Sequence, residues 1–344
     1  MSLTYRDAGV DIDKGEQVAR AAARLARATR RPEVCSGIGG FGALFRIPRG
    51  YRRPILVTAT DGVGTKLAIA SMLGRHDTVG IDLVAMNVND ILTLGAEPIA
   101  FLDYFVTERL EPSVAEQVLR GIARGCRMAG CALVGGETAE HPGCMRPGEY
   151  DLAGFVVGVV EETRVVDGRH IRAGDVLIGL ASSGLHSNGF SLVRQIVLER
   201  AKLALDAVVP EFRRPLGEEL LEPTRIYVPA VRALPVRDLH GMAHITGGGI
   251  VENVPRMFPK GLAARIVRGS WPVPPVFPWL QRLGDVPEDE MLRTFNMGLG
   301  FVLVVRAAAA DRIVSALRAR RMRCWVIGEV VVRRRAQPQV VFVS

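Results

Sequence analysis

Short, β-branched apolar segments alternate with segments of helical periodicity along both halves of the chain. In the first half, residues 55–60 and 99–106 are typical of strands, whereas residues 78–94 and Pro112–Ala129 carry apolar side chains at helical spacing. Strands that alternate with helices bury their apolar faces as a sheet covered by helices. The pattern therefore predicts a mixed α/β fold.

The same alternation begins again after residues 167–173, so the sequence predicts two domains. We place them at residues 1–167 and 168–344, a division that suits a chain of 344 residues. Further strands are predicted at residues 132–134, 150–160, Val176–Ala181, 243–246, 298–305, 325–332 and Val340–Val343, and further helices at 187–200, 223–234 and 308–320.

Composition argues against several classes of protein. No apolar segment approaches the roughly 20 residues that span a bilayer, and the charged N-terminus differs from a signal peptide, so we expect a cytoplasmic protein that does not contact membranes. The net charge of +8 would suit a nucleic-acid-binding module. Because the arginines are scattered, a solvated basic surface, or one that attracts a phosphorylated substrate, is the favoured interpretation.

The five cysteines lack a disulfide framework, which indicates a reducing compartment. Cys126, Cys131, His141 and Cys144 lie within 19 residues, but their spacing differs from that of zinc sites. Buried thiols are therefore the favoured interpretation, with a zinc site as the alternative.

A glycine-rich segment at residues 36–44 is the first candidate for function. Its glycines are Gly37, Gly39, Gly40 and Gly42. They would let the backbone approach a ligand closely and move as a flap. The segment matches no phosphate-binding or dinucleotide-binding motif, so a plain flexible loop is an equal alternative.

The second candidate, residues 60–66, directly follows a predicted strand. Asp61 and Lys66 stand there beside Gly62 and Thr65. Ligands in α/β proteins lie at such strand ends, where Asp61 could hold Mg²⁺ and Lys66 could neutralise a phosphate. The alternative is a turn with a solvated aspartate.

Two further carboxylates occupy unusual positions. Asp90 lies within an otherwise apolar helix, where a carboxylate must be hydrogen-bonded, paired or metal-bound. It could share one Mg²⁺ with Asp61, or it could form a buried salt bridge. Glu137 follows the predicted strand at residues 132–134 and offers another carboxylate at a strand end.

The polar segment at residues 182–189 joins a predicted strand to a helix that we expect to begin near Ser187. Hydroxyls and free backbone N–H groups there would suit a phosphate, and His186 could donate a hydrogen bond or transfer a proton. A helix cap with a lone surface histidine is the alternative. The glycine run that follows Thr246 repeats this arrangement at another strand end.

These segments resemble one known family in both content and order. The order TYRDAGVDID, GGFGAL, TDGVGTK, GIDLVAMNVNDI, LVGGETAEHPG, YDLAGFVVGVVE, SSGLHSNGFSLVR, PTRIYV, HITGGG and RTFNMGLG closely resembles the phosphoribosylformylglycinamidine cyclo-ligases of purine synthesis. The resemblance implies a PurM-like architecture of two domains, with an N-terminal ATP-binding domain whose sheet pairs with that of a second copy in a homodimer. It also implies a small ribonucleotide as substrate.

The resemblance implies an activity as well. Transfer of the ATP γ-phosphoryl group to the amide oxygen of formylglycinamidine ribonucleotide gives an iminophosphate, and ring closure to aminoimidazole ribonucleotide releases phosphate. By this resemblance, Asp61, Lys66 and His186 are catalytic candidates, and the implied cofactors are ATP and Mg²⁺. A monovalent cation such as K⁺ and transient contacts with neighbouring purine-pathway enzymes stay open.

The resemblance also assigns residues to three ligands. Mg²⁺ would be held by Asp61, Asp90 and Glu137. ATP would be bound by Gly37, Gly39, Gly40, Gly42, Asp61, Gly62, Thr65, Lys66, Asp90 and Glu137. The substrate phosphate would be bound by Ser183, Gly184, His186, Ser187, Asn188, Thr246, Gly247 and Gly248. The alternative activity is another ATP-dependent phosphoryl transfer of the same superfamily, as in a selenophosphate synthetase or a small-molecule kinase.

Overall fold

The strand segments of the first half form one four-stranded sheet. We analysed a computed structural model that describes residues 3–344. The strands are β1 (Pro54–Gly62), β2 (Glu97–Thr107), β3 (Ala132–Glu140) and β4 (Tyr150–Glu161). They lie in the order β1-β4-β2-β3, with β2 and β3 parallel and the other neighbours antiparallel.

Helices cover one face of this sheet. They are α1 (Ile12–Ala26), α2 (Lys66–Leu73), α3 (Val79–Leu92) and α4 (Pro112–Ala129). Helices α3 and α4 cross at Gly80 and Gly121, where an added Cβ atom on either glycine would lie 2.3 Å from a backbone oxygen. The absence of side chains at this crossing lets the apolar faces of both helices pack closely and places the end of α3 beside β1.

The second half forms a six-stranded sheet with its own helices. Its strands are β5 (Val176–Ala181), β8 (Leu239–His244), β9 (Leu262–Val267), β10 (Leu299–Val305), β11 (Cys324–Val332) and β12 (Val340–Val343), and a separate ribbon holds β6 (Val208–Val209) and β7 (Arg214–Pro215). The order is β12-β9-β11-β5-β10-β8. All seven residues of β10 are buried, so the core of this domain lies around it.

Seven helices accompany these strands. They are α5 (Phe190–Arg194), α6 (Leu216–Leu220), α7 (Val228–Val231), α8 (Gly249–Asn253), α9 (Val276–Gly284), α10 (Glu288–Thr294) and α11 (Ala310–Ala319), and a π-helical segment, Gln195–Arg200, continues α5. The predicted mixed α/β class is confirmed. Among residues 3–344, no helix is both long and apolar enough to cross a membrane.

Two predicted helices are wrong in extent. The helix expected from Ser187 begins at Phe190, because Gly189 adopts a left-handed backbone conformation with φ of 76°. The helix expected at residues 223–234 is reduced to α7. Its first residues are not helical, because side chains of α3 hold their backbone groups by hydrogen bonds. The strand expected at residues 132–134 runs on to Glu140.

Candidate functional site

Two carboxylates and a histidine meet where the two sheets approach each other. Asp61 lies near the end of β1, Asp90 in the last turn of α3, and His244 at the end of β8. The Nδ1 atom of His244 lies 2.8 Å from Oδ1 of Asp90. The site therefore combines two carboxylates of the first domain with an imidazole of the second.

Asp61 is held in place by backbone contacts. Its Oδ1 accepts a hydrogen bond of 2.7 Å from the N–H of Gly62, and its carbonyl oxygen accepts one from Asn87 Nδ2 at 3.2 Å. Burial raises the pKa of the Asp61 carboxyl, and the neighbouring negative charge of Asp90 raises it further. Among the described residues, neither carboxylate forms an ion pair with a lysine or arginine. A cation placed between them would relieve their repulsion.

Glu137 does not join this pair within one chain. The strand register places Asp61 opposite Gly154, then Asp103, then Gly136, so Glu137 is about 14 Å away across three strand spacings. Its side chain also projects from the opposite face of the sheet, because neighbouring strand residues alternate between faces. Within residues 3–344 no group of three or more His, Cys, Asp or Glu residues is arranged to hold a metal ion. The predicted three-carboxylate site is therefore not formed by a single chain.

The four flap glycines belong to an exposed loop beside a large cavity. The loop is closed at its base by a bridge between Val34 and Phe45 and a hydrogen bond of 2.8 Å from the N–H of Cys35 to the carbonyl of Leu44. It shares a cavity of about 900 Å³ with residues 135–138 of β3. That volume suits a ligand the size of a nucleotide. The structure thus places Gly37, Gly39, Gly40, Gly42 and Glu137 at one cavity.

Asp103 is a residue of this cavity that the sequence analysis did not single out. It lies in β2, and burial raises the pKa of its carboxyl to about 7. A carboxylate within an otherwise apolar strand was the available signal, by the same argument that identified Asp90.

Lys66 is not available to a phosphate. Its side chain is fully buried, with Nζ 2.9 Å from Oδ2 of Asp82, 3.0 Å from the carbonyl oxygen of His186 and 2.7 Å from that of Glu222. An ammonium group has three hydrogens, and these three residues account for all of them. The ammonium group of Lys66 thus bonds entirely within the protein, and its predicted contact with ATP stays a prediction. Thr65 precedes Lys66 in the chain, and its hydroxyl oxygen lies 3.2 Å from the hydroxyl oxygen of Ser191.

The polar segment at residues 182–189, which we call the phosphate loop, uses several side chains internally. Ser183 Oγ donates to the carbonyl of Pro223 at 2.5 Å, and Ser187 Oγ lies 3.1 Å from Thr224 Oγ1. Asn296 Nδ2 donates to the carbonyl of Gly184 at 2.9 Å. These contacts fix the shape of the loop. The N–H groups of Ser182 and Ser183 also bond within the protein, which leaves those of residues 184–188 as the candidates for binding a ligand.

His186 is buried rather than placed at the surface. Its ring is 1% exposed, its Nε2 accepts a hydrogen bond of 3.2 Å from the N–H of Ser183, and its Nδ1 is buried without a partner among the described residues. Burial, reinforced by the positive charges nearby, holds the pKa of this imidazole well below its usual range. A neutral, enclosed ring helps to shape the loop, and the role of His186 in proton transfer stays a prediction.

The glycine run after β8 lies against the phosphate loop. Asn188 Oδ1 accepts a hydrogen bond of 3.0 Å from the N–H of Gly247, which joins the two segments. Asn253 Nδ2 donates to the carbonyls of Thr246, Gly247 and Gly249. These hydrogen bonds turn the carbonyls toward Asn253. The segment therefore presents one organised, partly exposed edge, formed by Thr246, Gly247 and Gly248.

His244 and Asp82 are further residues that sequence reasoning missed. His244 lies at a strand end, three residues before the first glycine of the run, which is the same signal that identified Asp61. Asp82 is an acid in an apolar helix, like Asp90. Of the cysteines in the alternative zinc set, Cys126 and Cys131 are buried thiols, as favoured, whereas Cys144 is exposed.

A smaller cavity opens beside the Asp90–His244 pair. It has a volume of about 300 Å³ and lies between β1 and α3 on one side and β8 and α8 on the other. Arg256 and Asn253 line it from the second domain. The two domains therefore enclose a polar cleft that begins at the carboxylate pair.

Comparisons with known proteins give a consistent result. Residues 42–160 match the model of the AIR synthase related protein N-terminal domain, and residues 172–341 match that of the C-terminal domain. Relatives named phosphoribosylformylglycinamidine cyclo-ligase include that of Thermoanaerobacter pseudethanolicus, 52% identical over 96% of this chain and 98% of its own length. Those of Sorangium cellulosum (55%; 96% of each chain) and Paraburkholderia phymatum (54%; 99% of this chain, 96% of its own) are equally similar.

Solved structures share the fold at low sequence identity. A thiamine-monophosphate kinase from Stenotrophomonas maltophilia superposes with a TM-score of 0.70 at 17% identity, covering 94% of this chain and 95% of its own. The hydrogenase maturation protein HypE in complex with ATP gives 0.65 at 18% identity, covering 92% and 88%. T. maritima PurL complexed with AMPPCP gives 0.54 at 15%, covering 93% and 47%. These likenesses support the two-domain architecture.

Proposed function

The chain belongs to the AIR synthase related protein family, and we propose that it acts as a phosphoribosylformylglycinamidine cyclo-ligase of purine biosynthesis. The observation that carries this proposal is sequence identity above 50% to proteins of that name over nearly the whole chain. ATP drives the reaction. Its γ-phosphoryl group goes to the amide oxygen of the substrate, and phosphate leaves when the neighbouring nitrogen closes the imidazole ring.

We assign the metal role to Asp61 and Asp90. Two adjacent carboxylates without a lysine or arginine ion pair among the described residues, one with its pKa raised, fit a divalent cation such as Mg²⁺. The cation would neutralise the charge of a phosphate group that reaches this pair. His244 holds the Asp90 carboxylate by a hydrogen bond of 2.8 Å and so fixes its orientation.

We assign ATP to the cavity between the flap and β3. Its volume of about 900 Å³ and its glycine-rich wall at residues 37–42 support this assignment. Closure of a mobile loop over the nucleotide would exclude water from the activated intermediate. Glu137, which lines the same cavity, becomes a nucleotide-facing carboxylate rather than a partner of Asp61.

We assign the ribonucleotide phosphate to the edge formed by the phosphate loop and the glycine run. Asn188 joins the two segments, and Thr246 and Gly248 remain partly exposed there. This edge is supported by Lys66, Ser183 and Ser187. Their polar atoms bond within the protein, so we do not assign them to the ligand. His244, which contacts Asp90, precedes Thr246 of this edge by two residues and so links the edge to the carboxylate pair.

A homodimer in the cytoplasm completes the proposal. The sheet face opposite α3 carries Leu56 on β1 and Phe155 on β4, which are 55% and 44% exposed. Apolar side chains on one open face are typical of a surface that another chain covers. Phe155→Glu should convert a dimer into a monomer of 37.3 kDa, as measured by light scattering, whereas Val208→Glu, on the exposed β6, should not. A monomeric unaltered protein would contradict the dimer.

A coupled assay tests the function. Purified protein, formylglycinamidine ribonucleotide and Mg²⁺-ATP are mixed, and ADP and aminoimidazole ribonucleotide are measured together. Equal amounts of both products, and none without the ribonucleotide, support the cyclo-ligase. ADP without aminoimidazole ribonucleotide would indicate a different phosphoryl-transfer activity. The variant Asp289→Asn, which changes an exposed acid, is the control for an ordinary surface substitution.

A further inference from the structure

Residues 222–227 of the second domain, which we call the strap, are hydrogen-bonded to helices of the first domain. The carbonyl of Glu222 accepts from Lys66 Nζ at 2.7 Å. Thr224 donates both its N–H and its hydroxyl to Oδ1 of Asp82, each at 2.7 Å. Asn89 donates to the carbonyl of Arg225 at 2.8 Å. The strap is thus attached across the domain boundary at several successive positions.

The phosphate loop is attached in turn to the strap and to Lys66. Ser187 Oγ lies 3.1 Å from Thr224 Oγ1, and Ser183 Oγ donates to the carbonyl of Pro223 at 2.5 Å. Lys66 Nζ donates to the carbonyl of His186 at 3.0 Å. A continuous chain of hydrogen bonds therefore runs from α3 of the first domain, through Thr224, to the phosphate loop of the second.

The central ion pair of this chain is costly to bury. Lys66 and Asp82 are both fully enclosed, and a buried ion pair contributes little net stability compared with apolar side chains of the same volume. Lys66 donates hydrogen bonds to carbonyls of the second domain, and Asp82 accepts them from Thr224 of the same domain, so the pair specifies one relative placement of the two domains. Positioning, rather than stability, is the property that this arrangement supplies.

We propose that Thr224, together with the Lys66–Asp82 pair, is a positioning residue that sets the phosphate loop for binding the phosphate of the ribonucleotide. The inference rests on the proposed function for the identity of that ligand. Thr224 is only 1% exposed, so it is not placed to touch a ligand itself. It acts only through Ser187, by holding that side chain at a fixed distance from Asp82.

The variant Thr224→Val tests the proposal. It removes both hydroxyl contacts while keeping the side-chain shape and the backbone N–H bond to Asp82. We expect the KM for the ribonucleotide to rise about tenfold, equivalent to about 1.4 kcal/mol, and the KM for ATP to change less than threefold. Thr224→Ser, which keeps the hydroxyl, should restore the KM for the ribonucleotide.

Thr29→Val is the matched control. Thr29 is also buried, and its hydroxyl also makes two hydrogen bonds, but both lie within the first domain and away from the strap. It should lower stability without separating the two KM values. Equal effects of Thr224→Val and Thr29→Val on both KM values would overturn the positioning role.

Hydrogen exchange gives a readout that does not depend on the activity. In Thr224→Val, amides of residues 183–189 should exchange at least tenfold faster than in the unaltered protein, and in Thr29→Val they should not. If Thr224→Val does not fold, Ser187→Ala breaks the same contact from the loop side and should give the same local increase. Unchanged exchange at residues 183–189 would refute the positioning role of Thr224, even if the coupled assay shows cyclo-ligase activity. Faster exchange together with no aminoimidazole product would support the positioning role and refute the proposed cyclo-ligase function.

Discussion

Replacement of Lys66 by methionine separates two explanations of this residue. Methionine is close to lysine in length and fits an enclosed site, but it carries no charge and no donor. The Asp82 carboxylate would then be left fully buried without its cation, and the carbonyls of His186 and Glu222 would lose a donor. We therefore expect Lys66→Met to weaken folding rather than to act on ATP directly.

The magnitude follows from the contacts that remain. Removal of one partner of a buried ion pair costs about 3–5 kcal/mol. Asp82 keeps two hydrogen bonds from Thr224, so we expect the lower end, about 3 kcal/mol. A domain with a free energy of unfolding of about 5–15 kcal/mol would stay folded after this loss. The loss corresponds to a fall in Tm of about 6–12 °C.

Thermal and urea unfolding of three proteins provides the assay. Besides the unaltered protein and Lys66→Met, the double variant Lys66→Met/Asp82→Asn removes the unpaired charge while keeping an oxygen for Thr224. Its free energy of unfolding should exceed that of the single variant by about 1–2 kcal/mol, because a buried amide costs less than a buried carboxylate. A Lys66→Met protein of unaltered stability with a greatly raised KM for ATP would refute this reasoning and support direct contact with the nucleotide.

Three other substitutions test the site. Asp61→Asn should lower kcat/KM about 100-fold or more in the coupled assay with unchanged Tm, and near-normal turnover would remove its role. His244→Ala should lower kcat/KM about tenfold or more by freeing the Asp90 carboxylate, and equal activity would show that the hydrogen bond of 2.8 Å does not matter. Burial raises the pKa of Asp103 to about 7, so its contribution to stability is present below about pH 4 and is lost as the pH rises through 7. Urea unfolding should therefore show Asp103→Asn gaining up to about 4 kcal/mol over the unaltered protein between pH 4 and pH 8, and parallel pH profiles would contradict this.

Local signals in the sequence predicted much of the secondary structure. Helix α4 runs from Pro112 to Ala129 as expected, because proline suits the first turn and Gly130 adopts the left-handed conformation that ends the helix. Strand β5 also has its expected bounds. These elements are determined by residues close together in the chain, so periodicity and end signals suffice.

Side-chain partners distant in sequence could not be predicted in the same way. A lysine after a strand suits a phosphate and an internal carboxylate equally well. In the structure the ammonium group of Lys66 bonds to Asp82, 16 residues away, and to the carbonyl of Glu222, 156 residues away. Hydrogen bonds from the N–H groups of Thr224 and Tyr227 to side chains of α3 likewise hold residues 223–227 out of the helix that their apolar spacing predicts.

The sequence by itself determined the mixed α/β class, the repeated strand and helix pattern, and the family, because ordered motifs and local periodicity carry that information. Tertiary structure decided which candidates share a site. It brought Asp61 and Asp90 together and added His244 from the other domain. It separated Glu137 from them, because strand order and the alternation of side chains between sheet faces depend on pairing between distant segments.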